Sequence, residues 1–160
     1  MDLEQEVLAP ALEMVQAQYD EKKIRLEREG EAPAGVQCDP GLLQIVATNL
    51  LGNAAKYGNE GGLVVLDCSG GAAGFGFSVW NEGPGFPEAQ KRNLFRRFSR
   101  LRTPELMQRK GTGVGLYTSW YIVQAHGGRI RAESEEGSWA RFRVEIPQPL
   151  PTQATQKGSP

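Results

Sequence analysis

A chain of 160 residues is long enough to fold as one domain around its own core, without disulfide or metal support. Its composition, 39% hydrophobic and 23% charged with a net charge of −1, is that of an ordinary soluble protein and excludes the basic excess of a general nucleic-acid binder. A single histidine, His126, excludes multi-histidine metal chemistry; Cys38 and Cys68 lack metal or redox spacing, and with no signal peptide or membrane-length apolar run a reducing cytosol is the expected compartment.

Residues 2–19 carry Leu3, Val7, Leu8, Leu12 and Val15 at near-helical spacing and are predicted to form a helix. Lys22 to Glu29 alternates, with Ile24 and Leu26 inward, and reads as a strand. Asp39 is a helix N-cap with Pro40 at the first helical position, and the helix it opens should run to Tyr57 and stop at Gly58. Leu63 to Cys68 and Phe75 to Trp80 are β-rich runs, joined by the glycine-rich segment 69–74 as a hairpin. Pro87 to Phe98 should hold one or two short helices, and the basic, polar stretch from Ser99 to Lys110, broken by Pro104, reads as a mobile lid. Val114 to Ala125 is the next predicted helix, stopped by Gly127-Gly128, and Arg129–Glu133 and Trp139–Ile146 are the last strands. The domain is expected to occupy 1–147, with a proline-rich, apolar-poor tail over 148–160 that is expected to be disordered. This order predicts an α/β (α+β) two-layer sandwich, a mixed sheet of about five strands with about three helices on one face.

Three segments carry the chemistry. In the long helix, Leu43, Val46, Leu50 and Ala54 form an apolar stripe; beside it Leu42, Ile45, Asn49, Asn53 and Lys56 form a second stripe that turns polar halfway. An amide oxygen at Asn53 suits Mg²⁺, and a lysine one turn on suits phosphate, although capping asparagines and a dipole-matched lysine would look the same. The second segment, Asn81-Glu-Gly-Pro-Gly-Phe86, follows a strand and lets backbone approach a ligand, or simply makes a type II turn. The third, Gly111-Thr-Gly-Val-Gly-Leu116, opens a helix whose bare N–H groups can bind phosphate. It is neither a P-loop, lacking Lys-Ser/Thr, nor a dinucleotide fingerprint.

Taken together, the polar-ended helix, the strand-borne Gly-Pro-Gly and the helix-opening GTGVGL resemble the N, G1 and G2 boxes of histidine-kinase-type ATPases, the Bergerat fold. Asn93-Leu-Phe95-Arg-Arg-Phe98-Ser-Arg100 resembles the F box of that family, and Ala125-His-Gly-Gly-Arg129 is a further family-like phrase. The resemblance implies that Asn53 ligates Mg²⁺ with Asn49 supporting it, that Lys56 contacts phosphate, and that Tyr57 flanks the base. It further implies that Asn81, Gly83 and Gly85 shape the adenine end. Gly111, Thr112, Gly113, Gly115 and Leu116 would wrap the triphosphate beneath the lid. Arg97 and Arg100 become phosphate contacts, while Phe95 and Phe98 pack the lid.

Within the superfamily, self-sufficient ATPases carry a glutamate base where this chain has Asn49, which cannot accept a proton at neutral pH. The resemblance therefore implies the ATP-binding catalytic domain of a two-component sensor histidine kinase. Such a domain transfers the ATP γ-phosphate to a histidine on a separate dimerisation domain of a homodimeric parent and signals to a response regulator. His126 falls in the Ala-His-Gly-Gly phrase and has a structural role, so the acceptor histidine is expected elsewhere in a longer chain. The rival readings are a serine kinase of the anti-sigma-factor type and a nucleotide-sensing module with weak or no ATP binding. One position departs from the family: Asn81 stands where an aspartate usually accepts a hydrogen bond from adenine. An amide offers both donor and acceptor, so weaker ATP binding and less selectivity against GTP are expected.

Overall fold

The computed structural model describes residues 1–96 and 114–149. The lid at 99–110, Phe98 and residues 150–160 of the expected tail lie outside them. Gln148, placed in that tail on sequence grounds, bonds through its backbone to Ala73 and through its side chain to Gln37.

Five strands form one sheet in the order β1-β2-β3-β5-β4: β1 (Arg25–Gly30), β2 (Leu63–Gly71), β3 (Gly74–Glu82), β4 (Arg129–Glu135) and β5 (Trp139–Pro147). Only β1–β2 is parallel, with Arg25 opposite Leu63; the other three pairings are antiparallel. The β2–β3 hairpin is tighter than its glycines suggest, because Gly71 pairs with Gly74 and only Ala72 and Ala73 turn. Period-two alternation divides the sheet. Val64, Leu66, Phe77, Val79, Val144 and Ile146 are buried under the helices, while Asp67, Trp80, Arg131, Arg141 and Arg143 lie on the opposite, open face.

Among the described residues, three α-helices cover the inner face. α1 (Ala9–Glu21) is preceded by a π-helical turn, Glu4–Leu8, which puts Leu3, Val7 and Leu8 all inside. α2 (Pro40–Tyr57) starts as expected: the Asp39 carboxylate accepts from Leu42 N at 3.1 Å. It lies between α1 and α3 (Val114–Ala125) and so buries Ala47, Leu51 and Ala55 in addition to the expected stripe. The second stripe divides in two. Leu42 and Ile45 are 38% and 43% exposed, whereas Asn49, Asn53 and Lys56 are half-buried. The polar end of α2, not its apolar start, is the part enclosed by neighbouring elements. One short 3₁₀ helix, Glu88–Asn93, is present in the segment expected to hold one or two. Behind it Leu94 and Phe86 are buried, and Phe95 meets Phe142 edge-on; the lid it was expected to pack lies outside the described residues.

Candidate nucleotide site

The two helices that carry the polar segments are clasped at both ends. At the start of α2, His126 Nε2 accepts from Asp39 N at 3.0 Å, while its Nδ1 sits 2.9 Å from Ile122 O. A carbonyl needs a donor and an N–H needs an acceptor, so the ring is neutral with its proton on Nδ1. Further along, Asn49 Nδ2 donates to Gly115 O at 3.2 Å and to the buried Ser119 Oγ at 3.3 Å. The amide nitrogen of Asn49 therefore turns to α3 rather than toward Asn53. This bond brings the first turn of α3 to the polar half of α2. No described residue hydrogen-bonds the half-buried side chain of Asn53.

α1 braces the other end of α2. Tyr19 OH donates to Leu51 O at 2.7 Å and Gln18 Nε2 to Gly52 O at 3.2 Å. Burial raises the Tyr19 hydroxyl well above its ordinary range. The Lys22 ammonium then donates to three carbonyls at the terminus of α2, those of Ala55, Lys56 (3.0 Å) and Gly58 (2.9 Å). All three of its protons meet the negative end of the helix that carries Lys56 and Tyr57. The sequence reading missed this brace. The signal was present: Val15, Tyr19 and Lys22 continue the buried stripe of α1 at i, i+4 and i+7, with polar residues where another apolar one was due.

The turn after β3 is packed against both α2 and the β4–β5 hairpin. Asn81 is 5% exposed, and its Nδ2 donates to Glu82 O at 3.2 Å; the same carbonyl accepts from Asn59 N at 3.0 Å. Gly58 ends α2 with an extended backbone and no left-handed twist. A side chain there is excluded by space, since a Cβ would lie 2.4 Å from Ala54 O. At Gly83 a Cβ would lie 2.8 Å from Tyr57 O. Gly85 needs glycine twice over, having φ +63° and a would-be Cβ 2.3 Å from Ser134 Oγ. From the hairpin, Ser138 O accepts from Gly83 N, Ser134 Oγ accepts from Phe86 N, and Gly137 N donates to Pro84 O. The serines had no motif to mark them.

Of the expected site residues, Asn49 and Gly115 meet between α2 and α3, Asn53 and Lys56 lie farther along α2, and Tyr57, Asn81 and Gly83 come together where the end of α2 approaches the β3 turn, with Gly85 against the β4–β5 hairpin. Leu116 is half-buried against the apolar groups around Phe86 and Phe142. Arg97, Arg100, Gly111, Thr112 and Gly113 lie outside the described residues. A cleft of about 530 Å³ on the open face, bounded by Gly76, Ser78, Arg129 and Arg143, contains none of the expected residues.

Known proteins share both sequence and architecture with this chain. It is 36% identical over 143 residues to the sensor protein CutS of Streptomyces coelicolor, covering 89% of this chain and 34% of CutS. The chain thus spans about a third of that relative, and less of others such as KdpD of Escherichia coli, of which it covers 12% at 34% identity. The catalytic domain of the histidine kinase ThkA superposes with a TM-score of 0.78 at 26% identity, over 92% of this chain and 95% of that one. Full-length ShkA, crystallised in complex with AMPPNP, gives 0.78 at 28% identity over 94% of this chain and 30% of its own. Residues 38–150 match the model of the histidine kinase-, DNA gyrase B- and HSP90-like ATPases, and the chain belongs to that family.

Proposed function

We propose that this chain is the ATP-binding catalytic part of a sensor histidine kinase, lying in the cytoplasm whether or not the parent kinase is attached to a membrane. It holds Mg²⁺·ATP and presents the γ-phosphate to a histidine on a separate dimerisation domain of a homodimeric parent, from which a response regulator takes it. The supporting observation is the clasp of Asn49 on Gly115 and Ser119, which holds the first turns of α3 beside the helix that carries Asn53 and Lys56. The chain of CutS, the ShkA complex and a ThkA structure solved with the response regulator TrrA all point the same way.

The residues present suit the group. The Asn53 amide oxygen, without a partner among the described residues, is a hard donor of the kind Mg²⁺ takes. When bound, the ion would neutralise charge on the β- and γ-phosphates. Lys56 and the first N–H groups of α3 would hold phosphate oxygens, and Tyr57, Asn81, Gly83 and Gly85 the base. Gly111, Thr112, Gly113, Arg97 and Arg100 are assigned to phosphate on the motif alone, and Leu116 to supporting the loop. Asn49 offers no carboxylate to take a proton from water, and its nitrogen is engaged on α3, so the bound nucleotide waits for an acceptor rather than being hydrolysed.

The test is to incubate the chain with Mg²⁺ and labelled ATP, alone and with a helical hairpin bearing a histidine. Acid-labile label on the hairpin with little free phosphate is the expected result. Steady hydrolysis without an acceptor, or label delivered to a serine-bearing protein instead, overturns the reading.

A further inference from the structure

The open face of the sheet, turned away from the helices and the nucleotide junction, carries charges of opposite sign on either side of its central strand. Cross-strand register sets Glu29, Asp67, Ser78, Arg143 and Arg131 in one row from β1 to β4, with β3 in the middle. Glu29 thus stands directly opposite Asp67, and Arg143 directly opposite Arg131. Like charges so placed are destabilising within a single sheet. Among the described residues Glu29, Asp67 and Arg143 enter no ion pair, and Arg131 has only Glu145, 3.5 Å away and exposed. One half of the row is acidic and the other basic, and each half lacks what the other holds. Apolar groups lie beside the row on the same face: Trp80 and Trp139 stack with ring centroids 6.5 Å apart, and Leu63 and Val65 share a cleft with Trp80.

We propose that this face pairs with a second copy of the chain, sheet on sheet, about a two-fold axis running along β3. Such an axis lies in the interface, exchanges the two edges of the sheet and leaves each row over itself. Asp67 of one copy then meets Arg143 of the other, and Glu29 meets Arg131, each contact occurring twice. An axis across the strands would set acidic edge on acidic edge, so charge selects the first. The neighbouring rows agree with it: Trp80 meets Trp80, Leu63 meets Trp139, and Arg25 meets Glu135. Glu27 over Glu133 is the one like-charged meeting among these rows, and Arg141 already neighbours Glu133 at 3.9 Å. Aligned sheets cross at about 30°, which with strands about 4.8 Å apart displaces facing residues by about 3 Å on β2 and β5 and about 5–6 Å on β1 and β4. Arginine and glutamate side chains span such offsets. Five strands of six to nine residues present about 650 Å² per copy, below the roughly 800 Å² of a stable interface, so separate chains pair weakly. The helix layer faces outward in the pair, and the pairing does not depend on what the nucleotide junction binds.

Sedimentation equilibrium tests the pairing. The mass of the wild-type chain should rise from that of one copy, 17.5 kDa, toward that of two as its concentration approaches about 1 mM. The association should weaken roughly tenfold between about 0.05 and about 0.5 M salt, because charge selects the register. Glu29→Lys with Asp67→Lys makes the whole row basic, and Arg131→Glu with Arg143→Glu makes it acidic. Each double variant should stay monomeric alone, and an equimolar mixture of the two should restore the dimer, since opposite charges then face each other along the entire row. Cooperative melting marks each variant as folded. A wild-type chain that remains monomeric at about 1 mM in low salt overturns the proposal and leaves the face to a different partner. A dimer that persists in either variant alone, or two folded variants that fail to pair when mixed, overturns it as well. The wild-type measurement needs no variant to fold.

Discussion

Replacing Lys22 by methionine keeps the apolar stem of the side chain and removes the ammonium that meets Ala55 O, Lys56 O and Gly58 O. Hydrogen bonds to a charged group contribute about 1.5 kcal/mol each at the low end. Ordering a lysine side chain costs up to about 2 kcal/mol, and the carbonyls at a half-exposed helix end regain some water. The net expectation is a loss of about 2–3 kcal/mol. For a domain of this size that lowers Tm by about 5–10 °C. Lys22→Arg should fall between the two, because a planar guanidinium keeps the charge but cannot point three donors at carbonyls gathered round one atom. The loss should also reach the ligand, since the braced turn carries Lys56, Tyr57 and Gly58: Mg²⁺·ATP affinity of the folded variant should drop several-fold more than that of adenosine. Thermal unfolding and parallel titrations provide the measurement. A Tm within 1 °C of wild type for Lys22→Met would refute the brace.

Two glycines of the site should respond oppositely to alanine. Gly85→Ala forces a Cβ onto Ser134 Oγ at φ +63° and should cost about 2 kcal/mol or more, visible in urea unfolding. Gly115→Ala places its Cβ 3.6 Å from Asn49, an ordinary contact, so stability should hold while triphosphate binding weakens; unchanged binding would remove Gly115 from the phosphate site. Asn49→Glu sets a carboxylate against Gly115 O and should destabilise by about 1–3 kcal/mol without creating hydrolysis, checked by melting and phosphate release. Alkali should unfold the chain. Burial, with the charge of Asp39 adding to it, pushes the Cys38 thiol up to about 11, and burial likewise raises Cys68 and Tyr19. The unfolded chain releases these protons first, so stability present below about pH 9 is lost as the pH rises toward 11. Urea midpoints should fall over that range, less steeply in Cys38→Ser, and a flat profile would contradict the buried thiols.

How much of this was legible beforehand depended on the reach of the interaction. Local rules located Asp39 as the N-cap, Pro40 inside it and Gly58 at the stop, because capping and helix periodicity act over three or four residues. Period-two alternation found the five strands among the described residues, although β1 begins at Arg25 and Lys22, expected in it, caps α1. Asn49, Asn53 and Lys56 were visible as a group because one helix face carries all three. The motif marked Asn81, Gly83 and Gly85, and the structure adds a steric reason for the two glycines, each of whose Cβ would strike a neighbour.

Contacts decided over a long reach stayed hidden. Lys22 meets carbonyls 33 to 36 residues ahead, Asn49 meets Ser119 70 residues on, and Phe86 N finds Ser134 Oγ 48 residues away. Nothing in a linear pattern marks such partners, because they are set by how α1, α3 and the β4–β5 hairpin pack around α2. Leu42 and Ile45 show the same limit in reverse: both are apolar, and the packing leaves them exposed. The sequence by itself determined the elements and the family. Only the tertiary structure decided which way the amides of Asn49 and Asn81 point, since a side chain's orientation follows from the single carbonyl or hydroxyl that the fold sets beside it.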